Sequence, residues 1–231
     1  MKLISVYTPS HEILKDKWFL PSLRDDYELE IYPFDIQGDG KYLTPDWTRG
    51  VSFKAERIIE AIQQNWGQVF VYSDIDIQFF RPTKSVLLDA IGGYDIVCQQ
   101  NDSLGQLCTG FWIAEANART LALWESVREC VKKEGRDQLA FNRLIRKEGR
   151  AGLCRYASLP AKFFCPGIVE RKLWKPGDTF PIPKNIILHH ANWTEGIENK
   201  IAQMEYVRGY RFSAGQLSIA SILALHQPFF Y

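Results

Sequence analysis

The chain has 231 residues, 46 % of them apolar and 24 % charged, with a formal net charge of +1. That length gives room for one large domain or two small ones with a sizeable core. The charge balance argues against bulk electrostatic binding to nucleic acid, no basic run suggests a membrane surface, and no stretch approaches the roughly 18 apolar residues of a membrane span.

In chain order, Leu3 to Tyr7 reads as a first strand, halted by the turn signal Thr8-Pro9-Ser10. Tyr27 to Phe34 is a looser strand candidate, followed by loop through Gly40 and on to Pro45 and Asp46. A helix is expected from about Ser52, with Ala55, Ile58, Ile59 and Ile62 at helical spacing and Gly67 just past its end. Val69-Phe70-Val71-Tyr72 then runs without alternation into Asp74 and Asp76, spaced i, i+2. A short unbroken run of this kind fits a strand buried on both faces of a parallel sheet. If the strand continues through Ile77, both carboxylates point the same way. Strand, helix, strand in this order suits a parallel crossover.

A short helix over Val86 to Ala90, closed by Gly92-Gly93, precedes a strand from Tyr94 to Gln99 and a polar loop from Asn101 to Leu107. Thr109 to Ala114 reads as a further strand in which Gly110 permits close backbone approach. Arg119 to Glu134 is an amphipathic helix stopped by Gly135. Asp137 stands where a helix N-cap belongs, with the next helix running from Leu139 to Lys147. Residues 151–185 are rich in proline and loop-like, and Asn185 to Leu188 is a strand delivering His189 and His190. Thr194 is expected to cap a last helix bearing Ile197, Ile201 and Met204. The apolar end of residues 208–231 either packs on the domain or leads into a further one. The five cysteines are odd in number, without C-x-x-C pairing, and the apolar part of the first strand is too short for a secretory leader, so reduced thiols in the cytoplasm are expected.

Two carboxylates on one face repel unless a cation lies between them, and beyond the carboxyl end of a strand is where open α/β sheets bind ligands. One of His189 and His190 is the best third ligand, and imidazole with carboxylates suits Mn²⁺ better than Mg²⁺ or Ca²⁺. Lys54 and Arg57 share a helix face, and Lys200 lies in the first turns of a helix, where a bound anion would explain a cation. Each has a plain alternative: a solvated turn for the aspartates, a solvated rim for the lysines and arginine, a helix cap for Asp137.

Their order along the chain resembles the GT-A-fold nucleotide-diphospho-sugar glycosyltransferases, whose layout is K-x-x-x-I, V-x-Y-S-D-x-D, T-G-F, D-Q-x-x-F-N and H-A-N-W-x-x-G-x-x-x-K. Here these are Lys54 to Ile58, Val71 to Asp76, Thr109-Gly110-Phe111, Asp137 to Asn142, and His190 to Lys200. A weaker likeness is to glycosyltransferases of large DNA viruses of algae that decorate capsid protein, which would put the chain in host cytoplasm. The resemblance implies an α/β fold, a Rossmann-like, mostly parallel sheet with helices on both faces, forming a single domain over residues 1–207. It implies Mn²⁺, or Mg²⁺, on Asp74, Asp76 and His190. Lys200 and Asp74 would meet the diphosphate, and Tyr7 and Thr8 the uracil. Lys54, Arg57, Gly110 and Asp137 would border the donor sugar, with Asp137 and the adjacent Gln138 at the reacting centre. The implied activity moves a sugar from UDP to a hydroxyl of a glycan or glycoprotein, with retention of configuration. Cys108 departs from the Asn common in that family. A haloacid-type phosphohydrolase is the alternative from another class, although Gln78 stands where that family has Thr or Val; a non-catalytic sugar-nucleotide binding module is the other.

Overall fold

The computed structural model describes residues 1–36, 43–101, 105–146, 154–166 and 172–224, the last helix as backbone alone beyond residue 210. Strand β1 (Lys2–Tyr7) is followed by a helical run over 9–22, here α1. Then come β2 (Glu28–Pro33), α2 (Pro45–Gln64), β3 (Val69–Ser73), β4 (Ile77–Phe79) and α3 (Lys84–Ile91). The chain continues through β5 (Ile96–Gln100), β6 (Leu107–Glu115), α4 (Ala118–Glu134) and α5 (Asp137–Ile145). It closes with β7 (Tyr156–Ser158), β8 (Phe163–Phe164), β9 (Leu188–His190) and α6 (Ile197–Ala224).

The main sheet has the order β2-β1-β3-β6-β5-β7, and only β6 runs against its neighbours. It is the mostly parallel α/β sheet the motif order implies, with helices on both faces. The unbroken apolar run of β3 explains why. Phe70 and Tyr72 enter a core with α2, α4 and α5, while Val71 enters a second core with α1 and α3. Strand β6 alternates in the same way, Trp112 and Ala114 to one side, Phe111 and Ile113 to the other. Rings stack through the first core, with Tyr72 on Trp112 (centroids 5.4 Å) and Trp112 on Trp124 (5.5 Å).

A second, three-stranded sheet, β4-β9-β8, was not expected from the sequence. The strand carrying the aspartates does not continue: β3 stops at Ser73, and β4 resumes at Ile77 in the other sheet. Asp74 and Asp76 therefore lie in the gap between two sheets. Other expectations need correction. Helix α2 begins at Pro45, seven residues early, because Thr44 Oγ1 accepts a hydrogen bond from the Trp47 N–H (3.1 Å) and proline is accommodated in the first turn. Strand β1 does stop at Tyr7, before the turn signal, but a helix not expected from the sequence, α1, starts at Pro9 and buries Leu14, Trp18 and Phe19. Strand β9 includes both histidines and starts at Leu188. Thr194 does not cap α6; its hydroxyl donates to the Trp174 carbonyl (2.8 Å). Parts of the loops expected around residues 35–46 and 101–107, the end of the helix expected to reach Lys147, part of the 151–185 region and residues 225–231 lie outside the described residues.

Candidate functional site

The gap between β3 and β4 opens into a cleft of about 310 Å³. Two backbone contacts fix the aspartates there: the Asp74 N–H donates to the Gly110 carbonyl (2.6 Å), and the Ala191 N–H donates to the Asp76 carbonyl (2.9 Å). Because β9 runs antiparallel to β4 with His190 opposite Ile77, the imidazole arrives beside Asp76. His190 Nε2 is 3.2 Å from Asp76 Oδ1 and 4.0 Å from Asp74 Oδ2. One donor atom from each of Asp74, Asp76 and His190 lies within 4.8 Å of the other two.

The hydrogen bonds behind His190 decide its orientation. Gln99 Nε2 donates to the Phe163 and Phe164 carbonyls (3.2 and 3.0 Å), so its Oε1 faces His190 Nδ1 at 3.1 Å. Nδ1 then carries a proton, and Nε2 is the nitrogen turned to the carboxylates, the one that would ligate a metal once its own proton is displaced. Gly110 completes the cradle: a Cβ there would come within 2.3 Å of His190 Cε1 and 2.5 Å of Asp74 Oδ2. Two carboxylates, one oriented imidazole and a backbone with no side chain in the way fit a divalent cation such as Mn²⁺. Burial alone would lower the His190 pKa, but Asp76 and Cys108 raise it to about 10. Burial opposes ionisation of Asp76, yet Lys200 and His190 hold its carboxyl well below the usual range.

His189, its neighbour, faces away into the protein. Gln78 Nε2 donates to the Met204 carbonyl (2.9 Å) and to His189 Nδ1 (3.0 Å), and His189 Nε2 lies 3.2 Å from Gln203 Oε1. Burial lowers its pKa to about 3, so it is a neutral link between β9 and α6.

Lys200, one turn into α6, has Nζ on Asp76 Oδ2 (2.5 Å) and on the Ala191 carbonyl (3.1 Å). Lys54 is buried with Nζ 3.1 Å from both Asp74 and Asp137, 5.0 Å over the Tyr72 ring, whose hydroxyl donates to Asp74 (2.9 Å). Burial disfavours its charge, but Asp137 and Asp74 outweigh this and raise its pKa. Asp137 is the first residue of α5 and does not cap it; its carboxylate takes Lys54 and the Thr109 hydroxyl (3.0 Å). Gln138 follows in the cleft wall, its Oε1 3.4 Å from the Thr109 N–H. Tyr7, Thr8 and Gly110 line the cleft as well.

Arg57 is not brought to the cleft. Its guanidinium lies over the Tyr32 and Phe53 rings (5.6 and 5.2 Å) and pairs with Glu60, so sharing a helix face with Lys54 did not suffice. Three residues went unnoticed in the sequence. His11 lines the cleft, its Nδ1 2.8 Å from Thr8 Oγ1; burial and then Lys200 lower its pKa to about 4. Trp47 lines the cleft as well. Gln99 is a buried glutamine on an apolar strand, the one signal that could have revealed it.

The family model of nucleotide-diphospho-sugar transferases matches residues 35–204. Curated protein sequences gave no match. Among solved structures, the glycosyltransferase GlyE of Streptococcus pneumoniae TIGR4 is 11 % identical over 93 % of this chain and 63 % of its own, with a TM-score of 0.54. This chain thus spans under two thirds of that protein's length, and the likeness is one of fold. A glycosyltransferase involved in glycosylation of the major capsid of PBCV-1 is 11 % identical over 70 % of this chain and 82 % of its own, with a TM-score of 0.48. The galactosyltransferase LgtC, solved with donor and acceptor sugar analogues, is 10 % identical over 82 % of this chain and 86 % of its own, at 0.47. The family match covers most of the chain and spans Lys54, both aspartates, Asp137, His190 and Lys200: this chain belongs to the nucleotide-diphospho-sugar transferase family.

Proposed function

We propose that the chain is a metal-dependent glycosyltransferase that moves a sugar from a UDP-sugar to an acceptor hydroxyl, with retention of anomeric configuration. The observation that carries this reading is the convergence of Asp74, Asp76 and the oriented Nε2 of His190 on one point in the cleft, with Lys200 against the same carboxylate. A divalent cation held there, Mn²⁺ by the donor set, would screen the charge that grows on the departing diphosphate. Lys200, already at the cleft floor, is the protein cation that would meet that diphosphate, and such fixed charge aimed at developing charge is the largest single contribution a site of this kind supplies. Tyr7 and Thr8, at the end of β1, would border the uracil. Lys54 holds the Asp137 carboxylate in one position, from which it would accept hydrogen bonds from donor-sugar hydroxyls. Gly110 leaves room for that sugar, and Gln138 would stand beside its anomeric carbon. The same grip argues for attack from the leaving-group side, because a carboxylate pinned by a buried ammonium is a poor nucleophile. A glycan or glycoprotein hydroxyl would serve as acceptor.

Calorimetric titration with UDP and with GDP, each with and without Mn²⁺, tests the reading. Micromolar UDP binding that requires Mn²⁺ and is lost in Asp76→Ala, with an unchanged circular dichroism spectrum, supports it. UDP affinity that is the same in that variant and indifferent to Mn²⁺ refutes it.

A further inference from the structure

His190 faces two donor sets. Its Nε2 is turned to the carboxylates, while its Nδ1 lies 3.5 Å from Cys108 Sγ. Cys108, Cys165 and His190 each offer a donor atom within 4.8 Å of the other two, and all three are buried. No disulfide joins the five cysteines. The Gly110 N–H points at Cys108 Sγ (3.4 Å), a donor that suits a thiolate there, and the Cys165 S–H donates to Asn101 Oδ1 (3.2 Å), a bond given up when the sulfur takes a metal. Cys108 and His190 reach the wall of the cleft, which provides a way in.

We infer that Cys108, Cys165 and the Nδ1 of His190 form a second metal site, selective for a soft divalent cation such as Zn²⁺, that takes His190 away from the carboxylate site. Sulfur and imidazole prefer Zn²⁺, whereas carboxylates with imidazole accept harder ions, so two sites that share one imidazole would sort cations by softness. Binding releases both thiol protons to solvent, and two thiolates neutralise the ion, which removes the main cost of burying it. A neutral imidazole has a single lone pair. When Nδ1 donates it to the soft ion, the ring proton moves to Nε2, which then donates to Asp76 and no longer serves as a ligand there. The competition, though not the thiol site itself, rests on the cation reading of Asp74, Asp76 and His190 given above.

The test uses the full chain, phosphine-reduced and stripped of metal, titrated with Co²⁺ as a spectroscopic probe. Thiolate-to-cobalt charge-transfer absorption saturating at one equivalent, and bleached by Zn²⁺, supports the site. Cys165→Ser should lose the band and bind Zn²⁺ more than ~10-fold more weakly in chelator competition, since a ligand matters at least as much as the groups behind it. Cys130→Ser should keep the band, and Cys165→Ala guards against a folding defect specific to one variant. Absence of the band in the parent chain, or its survival in both Cys108→Ser and Cys165→Ser, overturns the site. Asp74→Asn should also keep the band, so the thiol site is tested even if the carboxylate reading fails. Electron paramagnetic resonance reads the competition: Zn²⁺ should release bound Mn²⁺ from the parent chain and not from Cys165→Ser. Equal release from both overturns the competition.

Discussion

Replacing Lys54 by methionine removes one charge from the centre of a buried triad and keeps most of its volume. Nζ is 3.1 Å from both Asp74 and Asp137, and at an effective dielectric near 20 each contact is worth roughly 5 kcal/mol before desolvation. Lysine desolvation cancels much of that, and breaking a buried pair from one side typically costs about 3–5 kcal/mol, because a carboxylate is left without its partner. Asp137 bears most of it, being the more buried of the two. The pH dependence is distinctive. In the parent chain burial opposes ionisation of Asp137, but Lys54 holds its pKa below the ordinary 3.8, so its contribution is present above that value and is lost only as pH falls through the lower folded value. Without Lys54, only the Thr109 hydroxyl and the Gln138 N–H still oppose burial, the largest of the causes, and the folded pKa is expected to rise above the unfolded one. The penalty is then full at neutral pH and is relieved as pH falls through the raised value. Urea unfolding followed by tryptophan fluorescence should therefore show a gap of about 3–5 kcal/mol at pH 7 that narrows toward pH 4. A gap below ~1 kcal/mol at pH 7, or one that widens on acidification, would refute the reasoning.

Gly110→Ala drives a methyl group to within 2.3 Å of His190 Cε1 and 2.5 Å of Asp74 Oδ2. It should cost about 1–3 kcal/mol of stability by overpacking and weaken Mn²⁺-dependent UDP binding at least ~10-fold; calorimetry and thermal unfolding check the two separately. Asp95, fully buried, accepts hydrogen bonds from Arg119 (2.9 and 2.7 Å), Asn117 (3.0 Å) and the Arg155 N–H (2.6 Å). Burial would raise its pKa, but these donors lower it from 3.8 to about 2. It therefore contributes about 2 kcal/mol above pH 4 that disappears between about pH 4 and 2, and the unfolding free energy of Asp95→Asn should lack that part of the acid slope.

Most of the sheet could be read from the chain because β3 and β6 are buried on both sides, and Val69 to Tyr72 has no polar position to suggest otherwise. The aspartates, His190, Lys200, Lys54 and Asp137 were singled out in the sequence by their order along the chain, and all of them line one cleft. What could not be read was decided by distant contacts. Ile77 to Phe79 looks like the continuation of β3, and nothing local says that the chain changes sheets after Asp76. Thr44-Pro45-Asp46 is equally good as a turn and as the start of a helix; the Thr44 cap is local, and Trp47 Nε1 donating to the Gly135 carbonyl (3.1 Å) adds a distant contact to the helical form. Asp137 has the right composition for a cap, but a buried lysine from α2 competes for its carboxylate and wins. Arg57 shares a face with Lys54, yet one more turn along α2 finds aromatic rings in place of the cleft.

The position of the aspartates between two sheets makes any ligand they share a staple. Asp74 leaves the six-stranded sheet, whereas Asp76 enters the three-stranded one with His190 hydrogen-bonded alongside in β9. Binding across all three couples the relative placement of the sheets to occupancy, and the free energy of binding becomes resistance to their separation. Amide exchange in Ile77–Phe79 and Leu188–His190 is the local gauge of that resistance, because these short strands have little ladder of their own to protect them. The interrupted strand thus turns a small, marginal sheet into the part of the molecule that reports whether the cleft is filled.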